Sequence, residues 1–291
     1  MNSKSIVVRL TGGVGNQLFQ YSCGRSIAIR NHCDLYLDSS SYALSAEKAL
    51  GRTFDLDRFK IRSTKNDLVV KTLLKPYSTR FVNRLNLALP WKRIKEPQFH
   101  FDAGILRLTP PLYLDGHWQS YKYFSDIEST LRYDLAFTEL PPEFSSEAST
   151  FTGDDSVMLH IRRGDYVSDS RVAQIHGALS LDYYYRALEQ LSSLTSTKLR
   201  LFVFSDDYDW VRQNFTPAGY KPELACDLTP GPAHDLYFMS LCRHHIIANS
   251  SFSWWSAWLS ERRGITMAPR TWFHDASRDT SDLVPPDWRL I

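Results

Sequence analysis

The chain has 291 residues, 43% hydrophobic and 23% charged, with a net charge of only +2. Those values imply a globular protein of one large or two medium domains, and they exclude a dedicated nucleic-acid binder, which would carry a strong basic excess. No apolar run approaches the roughly 18 residues of a membrane span, and the opening MNSKSIVVRLTGG is too weakly apolar for a signal peptide, so the expected location is cytoplasmic.

Ser5 to Leu10 reads as a strand, TGGVGN as a glycine turn, and Asn16 to about Arg30 as a helix with Phe19, Cys23 and Ile27 on one face. Leu35 to Leu37 is a second strand ending at Asp38, which completes a βαβ unit. Gly13, Gly15 and Asp38 partly match a dinucleotide fingerprint, although Leu18 stands at the third glycine position. An NAD-dependent Rossmann oxidoreductase is therefore one alternative. Asp55-Leu56-Asp57 reads as solvated surface, and the four cysteines, spaced without a CxxC, read as buried free thiols. No metal is expected.

Residues 68–95 hold seven Lys/Arg, no acid, and interleaved apolar residues. Such a stretch suits peripheral contact with an anionic membrane surface, or else a surface helical hairpin. Tyr113 and Leu114 begin a strand, and Tyr121 to Tyr133 reads as a helix. Residues 138–155, with Pro141-Pro142, read as a linker between domains 1–140 and 155–291.

Beyond the linker, strands are expected over 156–161, Leu199 to Phe204, Ile246 to Ala248 and Ile265 to Ala268. Helices are expected over 181–193, from the SDD segment to Phe215, over 235–243, and over 253–263 with Gly264 as the stop. The alternation in both halves predicts an α/β protein with two doubly wound parallel sheets.

Three strands of the second half end in polar clusters: HIRRGDY, Ser205-Asp206-Asp207, and Asn249-Ser250-Ser251 leading to Ser253. Ligands bind beyond the carboxyl ends of parallel strands. Arg162 and Arg163 offer planar forks for phosphate oxygens, and the serines precede a helix whose free N–H groups suit an anion. Asp206 or Asp207 suits a base or ribose. Alternation puts His160 and Arg162 on one side and Arg163 on the other, so Arg162 is expected to face a diphosphate and Arg163 to brace the loop through Asp165. The plainer alternatives are a local Arg–Asp ion pair and helix N-caps at SDD and NSSFS.

Several stretches resemble one family. GGVGNQLFQYSCGRSIA, HIRRGDYV, FSDDYDW, LDGHWQSYKYF and DLYFMSLCRHHIIANSSFSWWSAWL are similar, in order, to motifs of the α-1,2-fucosyltransferases of glycosyltransferase family 11, bacterial type. Departures are Val14, His117-Trp118 and Ser256. The resemblance implies a GT-B-like pair of Rossmann-like domains with a cleft between them. It implies metal-independent, inverting transfer of L-fucose from GDP-β-L-fucose to the 2-hydroxyl of a terminal β-galactose, on a surface glycan that includes lipid-linked ones. By the same resemblance Arg162, Arg163 and Asp165 serve catalysis. His160, Asp206, Asp207, Asn249, Ser250, Ser251 and Ser253 serve the donor, with Gly12, Gly13, Gly15 and Asn16 closing on it from the first domain. Asp115, His117 and Asp126 are candidate bases. A non-catalytic sugar-nucleotide-binding protein is a further alternative.

Overall fold

The computed structural model describes residues 4–43, 51–63, 92–138, 144–229, 232–275 and 278–291. The chain divides into two units: residues 1–138 with 279–283, and residues 139–278 with 284–291. Each is built on one parallel sheet, giving the α/β, GT-B-like pair of Rossmann-like units that the alternation predicts.

Unit 1 holds β1 (Ser5–Arg9), α1 (Val14–Arg30), β2 (Asp34–Asp38), β3 (Lys92–Lys95), β4 (Leu112–Asp115) and α2 (Glu128–Asp134), with strand order β2-β1-β4-β3. Ile6, Val7 and Val8 are fully buried because β1 lies mid-sheet. α1 packs tightly on β1 at Gly24, where a Cβ would come 2.2 Å from Val8 Cγ2. The close-packing glycine is thus Gly24 rather than a residue at position 18. Asp38 is spent inside the fold, accepting from Tyr113 Oη at 2.8 Å and from the Ser40 N–H at 3.0 Å. With only 2% of its surface exposed it is poorly placed to meet a ribose, which weakens the oxidoreductase reading.

Three expectations change here. Lys92–Lys95 is the edge strand β3, paired with β4, and not part of a helical hairpin; residues 68–91 lie outside the described residues. The helix foreseen over Tyr121–Tyr133 is two 3₁₀ turns followed by α2, because Ser120 caps a tight turn at Lys122 and Phe124 leaves the helical region at φ −140° and ψ 9°. Asp55 is half-buried rather than solvated, its backbone N–H donating to Gln17 Oε1 at 2.9 Å, and burial raises its pKa.

Unit 2 holds α3 (Ser145–Phe151), β5 (Ser156–Ile161), α4 (Gly164–Ser168), α5 (Ser170–Ile175), α6 (Leu181–Leu194), β6 (Arg200–Ser205), α7 (Tyr208–Asn214), β7 (Glu223–Leu224), α8 (Pro232–Leu241), β8 (His244–Ile246), α9 (Ser251–Leu259), β9 (Thr266–Ala268) and β10 (Arg289–Leu290). The strand order is β10-β9-β8-β5-β6-β7. β5 sits mid-sheet with every residue buried, and its apolar face packs on Tyr184, Leu188 and Leu191 of α6.

The segment read as a linker contributes α3, whose Phe151 is fully buried against Phe202, Phe204 and Phe238. One aromatic anchor outweighs the loop-like composition around it. Gly264 is not a helix stop, since α9 ends at Leu259; a Cβ at 264 would meet the Arg243 carbonyl oxygen at 1.7 Å. Of the cysteines, all free, Cys23 and Cys242 are buried, Cys33 is partly so and Cys226 is exposed. Among the described residues no helix is long and apolar enough to cross a membrane.

Candidate functional site

Because β5 lies between β8 and β6, the three polar clusters of unit 2 meet at the carboxyl end of the sheet. Register makes the meeting close: Ile161 pairs with Ser205, and Leu159 with Ile246.

Arg162 is held by two carboxylates. Its Nη2 donates to Asp165 Oδ1 at 2.6 Å, and its Nη1 lies 2.8 Å from Asp206 Oδ2. The guanidinium also sits 5.4 Å from the Tyr166 ring centre. Burial works against its charge, but Asp206 and Asp165 outweigh that and raise its pKa. Asp206 has a second task, accepting the backbone N–H of Arg163 at 2.8 Å. A Cβ at Gly164 would lie 2.3 Å from Asp206 Oδ2, so this carboxylate requires a glycine beneath it.

Arg163 turns the other way. Its Nε donates to Asp207 Oδ2 at 3.1 Å, and its guanidinium carbon lies 3.7 Å from the Trp210 ring centre. The expected Arg163–Asp165 brace is therefore corrected: Arg162 takes Asp165. Strand alternation ends at Ile161 and α4 starts at Gly164, and the turn between them brings Asp165 back to Arg162. Asp207 also caps α7, accepting from the Trp210 N–H at 3.1 Å.

His160 lies beneath this layer, 4% exposed and 5.9 Å from the Phe252 ring centre. Burial, helped by the Arg162 charge and opposed by Asp206, pushes its pKa down to about 4, so the ring is neutral at pH 7.

The NSSFS segment divides its roles. Ser250 caps α9, accepting from the Phe252 N–H. Ser253 is fully buried and donates to the Ala248 carbonyl at 3.3 Å. Asn249 is 1% exposed; its Nδ2 points at the carbonyls of His176, Gly177 and Trp272, tying three loops together. Asn249 and Ser253 thus brace the loops from inside the fold. Ser251 opens α9 at the same end of the sheet.

In unit 1, Gly12 has φ +77°, and a Cβ there would strike Asn16 Nδ2 at 2.4 Å. Gly13 precedes α1 and Gly15 is buried within it. Asn16 Oδ1 accepts from Gln119 Nε2 at 2.7 Å. Asp115 is clamped by Arg9 and Arg93. Burial pushes its pKa up, but hydrogen bonds from the two arginines prevail and lower it, which makes it a poor proton acceptor. Asp126 is paired with Arg30 at the surface. His117 is exposed at the end of β4. Among the described residues no group of three His, Cys, Asp or Glu side chains is arranged to hold a metal.

A family model described as "Glycosyl transferase family 11" matches residues 95–291. The chain is 31% identical to an alpha-1,2-colitosyltransferase of Escherichia coli, over 98% of both chains. This protein belongs to glycosyl transferase family 11. It is therefore a glycosyltransferase, of the bacterial type. It is also 27% identical to the O-antigen biosynthesis glycosyltransferase WbnK of Escherichia coli, over 96% of this chain and 98% of the relative. To a galactoside 2-alpha-L-fucosyltransferase of Caenorhabditis elegans it is 29% identical, over 62% of this chain and 53% of the relative. The crystal structure of fucosyltransferase NodZ from Bradyrhizobium shares the fold, with TM-score 0.50 at 14% identity over 88% of this chain and 93% of that one.

Within this family 11 chain, the sequence reading passed over Tyr166 and Trp210, the rings that flank the two arginines. Each lies within a quoted motif, HIRRGDYV or FSDDYDW. The signal was there as an aromatic a few residues from a charged cluster, but nothing local says which guanidinium it covers.

Proposed function

We propose that this family 11 enzyme transfers L-fucose from GDP-β-L-fucose, with inversion, to the 2-hydroxyl of a terminal β-galactoside in a surface glycan. The observation that carries the reading is the meeting of Arg162, Arg163 and the N-terminus of α9 at the carboxyl end of the sheet, backed by the motif resemblance and by the relatives' printed activities.

In this reading the diphosphate binds at that end. As the anomeric C–O bond breaks, negative charge grows on the departing GDP, and fixed guanidinium and backbone N–H groups stabilise it without reorganising. The donor exchanges with Asp165 or Asp206 for Arg162, so one of these carboxylates must swing aside. Two cations and the helix amides take the part a divalent ion would play, and transfer is read as metal-independent. Gly12, Gly13, Gly15 and Asn16 are read as closing on the donor from unit 1, and the rest of unit 1 as the acceptor side. The basic run 68–95 is proposed to rest on an anionic membrane face.

A second reading is favoured by the 31% identical relative: the corresponding colitosyl donor in place of the fucosyl one. The test is turnover of GDP-fucose and the colitosyl donor with a panel of galactosides, with the product linkage read by NMR. Transfer with GDP-fucose, unaffected by EDTA, is the expected result. Transfer with the colitosyl donor alone selects the second reading. Loss of activity in EDTA that manganese restores ends the metal-free reading. Arg162→Ala is expected to stay folded and lose transfer by several orders of magnitude.

A further inference from the structure

The loop after β4 holds a backbone conformation that ordinary packing does not require. Trp118 is fully buried yet has φ +57°, a region where bulky residues are outliers. Glu96, the residue directly after β3, keeps it there. One carboxylate oxygen accepts the His117 N–H at 2.7 Å, and the other accepts the Trp118 N–H at 2.9 Å. The clamp is anchored to the sheet, because the Glu96 N–H donates to the Asp115 carbonyl at 3.0 Å.

Neighbouring residues are fitted to it. A Cβ at Gly116 would lie 2.4 Å from Glu96 Cβ, so only glycine allows the carboxylate this close. The Gly116 carbonyl accepts from Gln20 Nε2 at 3.1 Å, and Gln119 reaches the glycine loop through Asn16. The result places an exposed His117 at the carboxyl end of a parallel strand, where such sheets bind ligands. Strained non-glycine residues persist where their surroundings over-determine them, and they gather at ligand sites.

We propose that Glu96 is a positioning residue that sets His117 against the acceptor saccharide, making His117 a determinant of acceptor specificity. The inference rests on the fucosyl-transfer reading and names the acceptor contact within it. The imidazole exchanges hydrogen bonds with sugar hydroxyls, and Glu96 acts only through the backbone it holds.

The test compares Glu96→Ala, Glu96→Gln and His117→Ala with wild type for acceptor KM, kcat, GDP affinity by calorimetry and Tm. Glu96→Ala and His117→Ala should each raise acceptor KM by about tenfold while GDP affinity stays at the wild-type value. Glu96→Gln, which keeps one carbonyl acceptor, should fall between. His117→Ala should leave Tm unchanged, and it decides the matter if Glu96→Ala does not fold. A lowered Tm with unchanged acceptor KM marks a merely structural clamp and overturns the inference, as does an equal loss of GDP affinity. If wild type transfers fucose to no acceptor, the reading of function falls and this inference with it. If wild type transfers and the His117 variant matches it, the inference alone falls.

Discussion

The guanidinium carbon of Arg163 lies 3.7 Å from the centre of the Trp210 ring. The indole comes from α7, just beyond the next strand of the sheet, so the arginine is fixed by a platform 47 residues further along the chain. A desolvated cation–π contact is worth up to about 2 kcal/mol. Trp210→Ala should lower kcat/KM with GDP-fucose by about tenfold, and Trp210→Phe should keep most of it. Wild-type kinetics in Trp210→Ala would show that Arg163 does not act on the donor.

Arg162 spans two carboxylates with the two ends of its fork. A lysine ammonium is a single point and cannot replace that geometry. Arg162→Lys should lose about 10²-fold or more in kcat. Arg163→Lys, which keeps a cation near Asp207, should lose about tenfold or less. Steady-state rates on folded variants, checked by circular dichroism, decide the order; equal losses would contradict the assignment.

Stability should depend on two buried histidines. The pKa values of His160 and His245 are both pushed down to about 4, burial being the main cause for each. Between pH 4 and the ordinary 6.5 the unfolded chain binds more protons than the folded one, so stability is lost as pH falls through that window. Tm should drop more steeply from pH 6.5 to 4 in wild type than in a His160→Gln/His245→Gln variant. Scanning fluorimetry across that range checks it, and identical slopes would assign the acid sensitivity to other groups.

Ser250 and Ser253 should separate fold from ligand. Ser250→Ala removes the α9 cap and should cost about 1 kcal/mol. Ser253→Ala should leave GDP affinity unchanged, because that hydroxyl is turned inward to the Ala248 carbonyl. A GDP affinity lost in Ser253→Ala would return this serine to the site.

The membrane proposal has its own check. Arg93 is engaged with Asp115, whereas Lys92 and Lys95 are exposed on edge strand β3. Lys92→Glu/Lys95→Glu should reduce sedimentation with phosphatidylserine vesicles at low salt. Unchanged sedimentation, or none by wild type, rejects the contact.

Much of the architecture is legible along the chain. Runs such as VVRL and SVMLHI read as strands because mid-sheet strands of a parallel sheet are buried on both faces. The glycine turn before α1 and the polar strand ends are local as well, and so is the suggestion that adjacent arginines meet an anion. Phe151 hid a helix inside apparent linker composition, and β3 hid inside a basic run. In each case the deciding contact, Phe202 or the β4 ladder, is distant in sequence.

The sequence by itself determined most of the element types, the polar ends of three strands and the placing of two adjacent arginines at one of those ends. Tertiary structure decided which carboxylate each arginine meets and which polar residues stay available. The order β8-β5-β6 brings Asp206 to Arg162 and Trp210 to Arg163. Strand order is a non-local property, set by how buried faces share one core. No spacing within HIRRGDYV contains it.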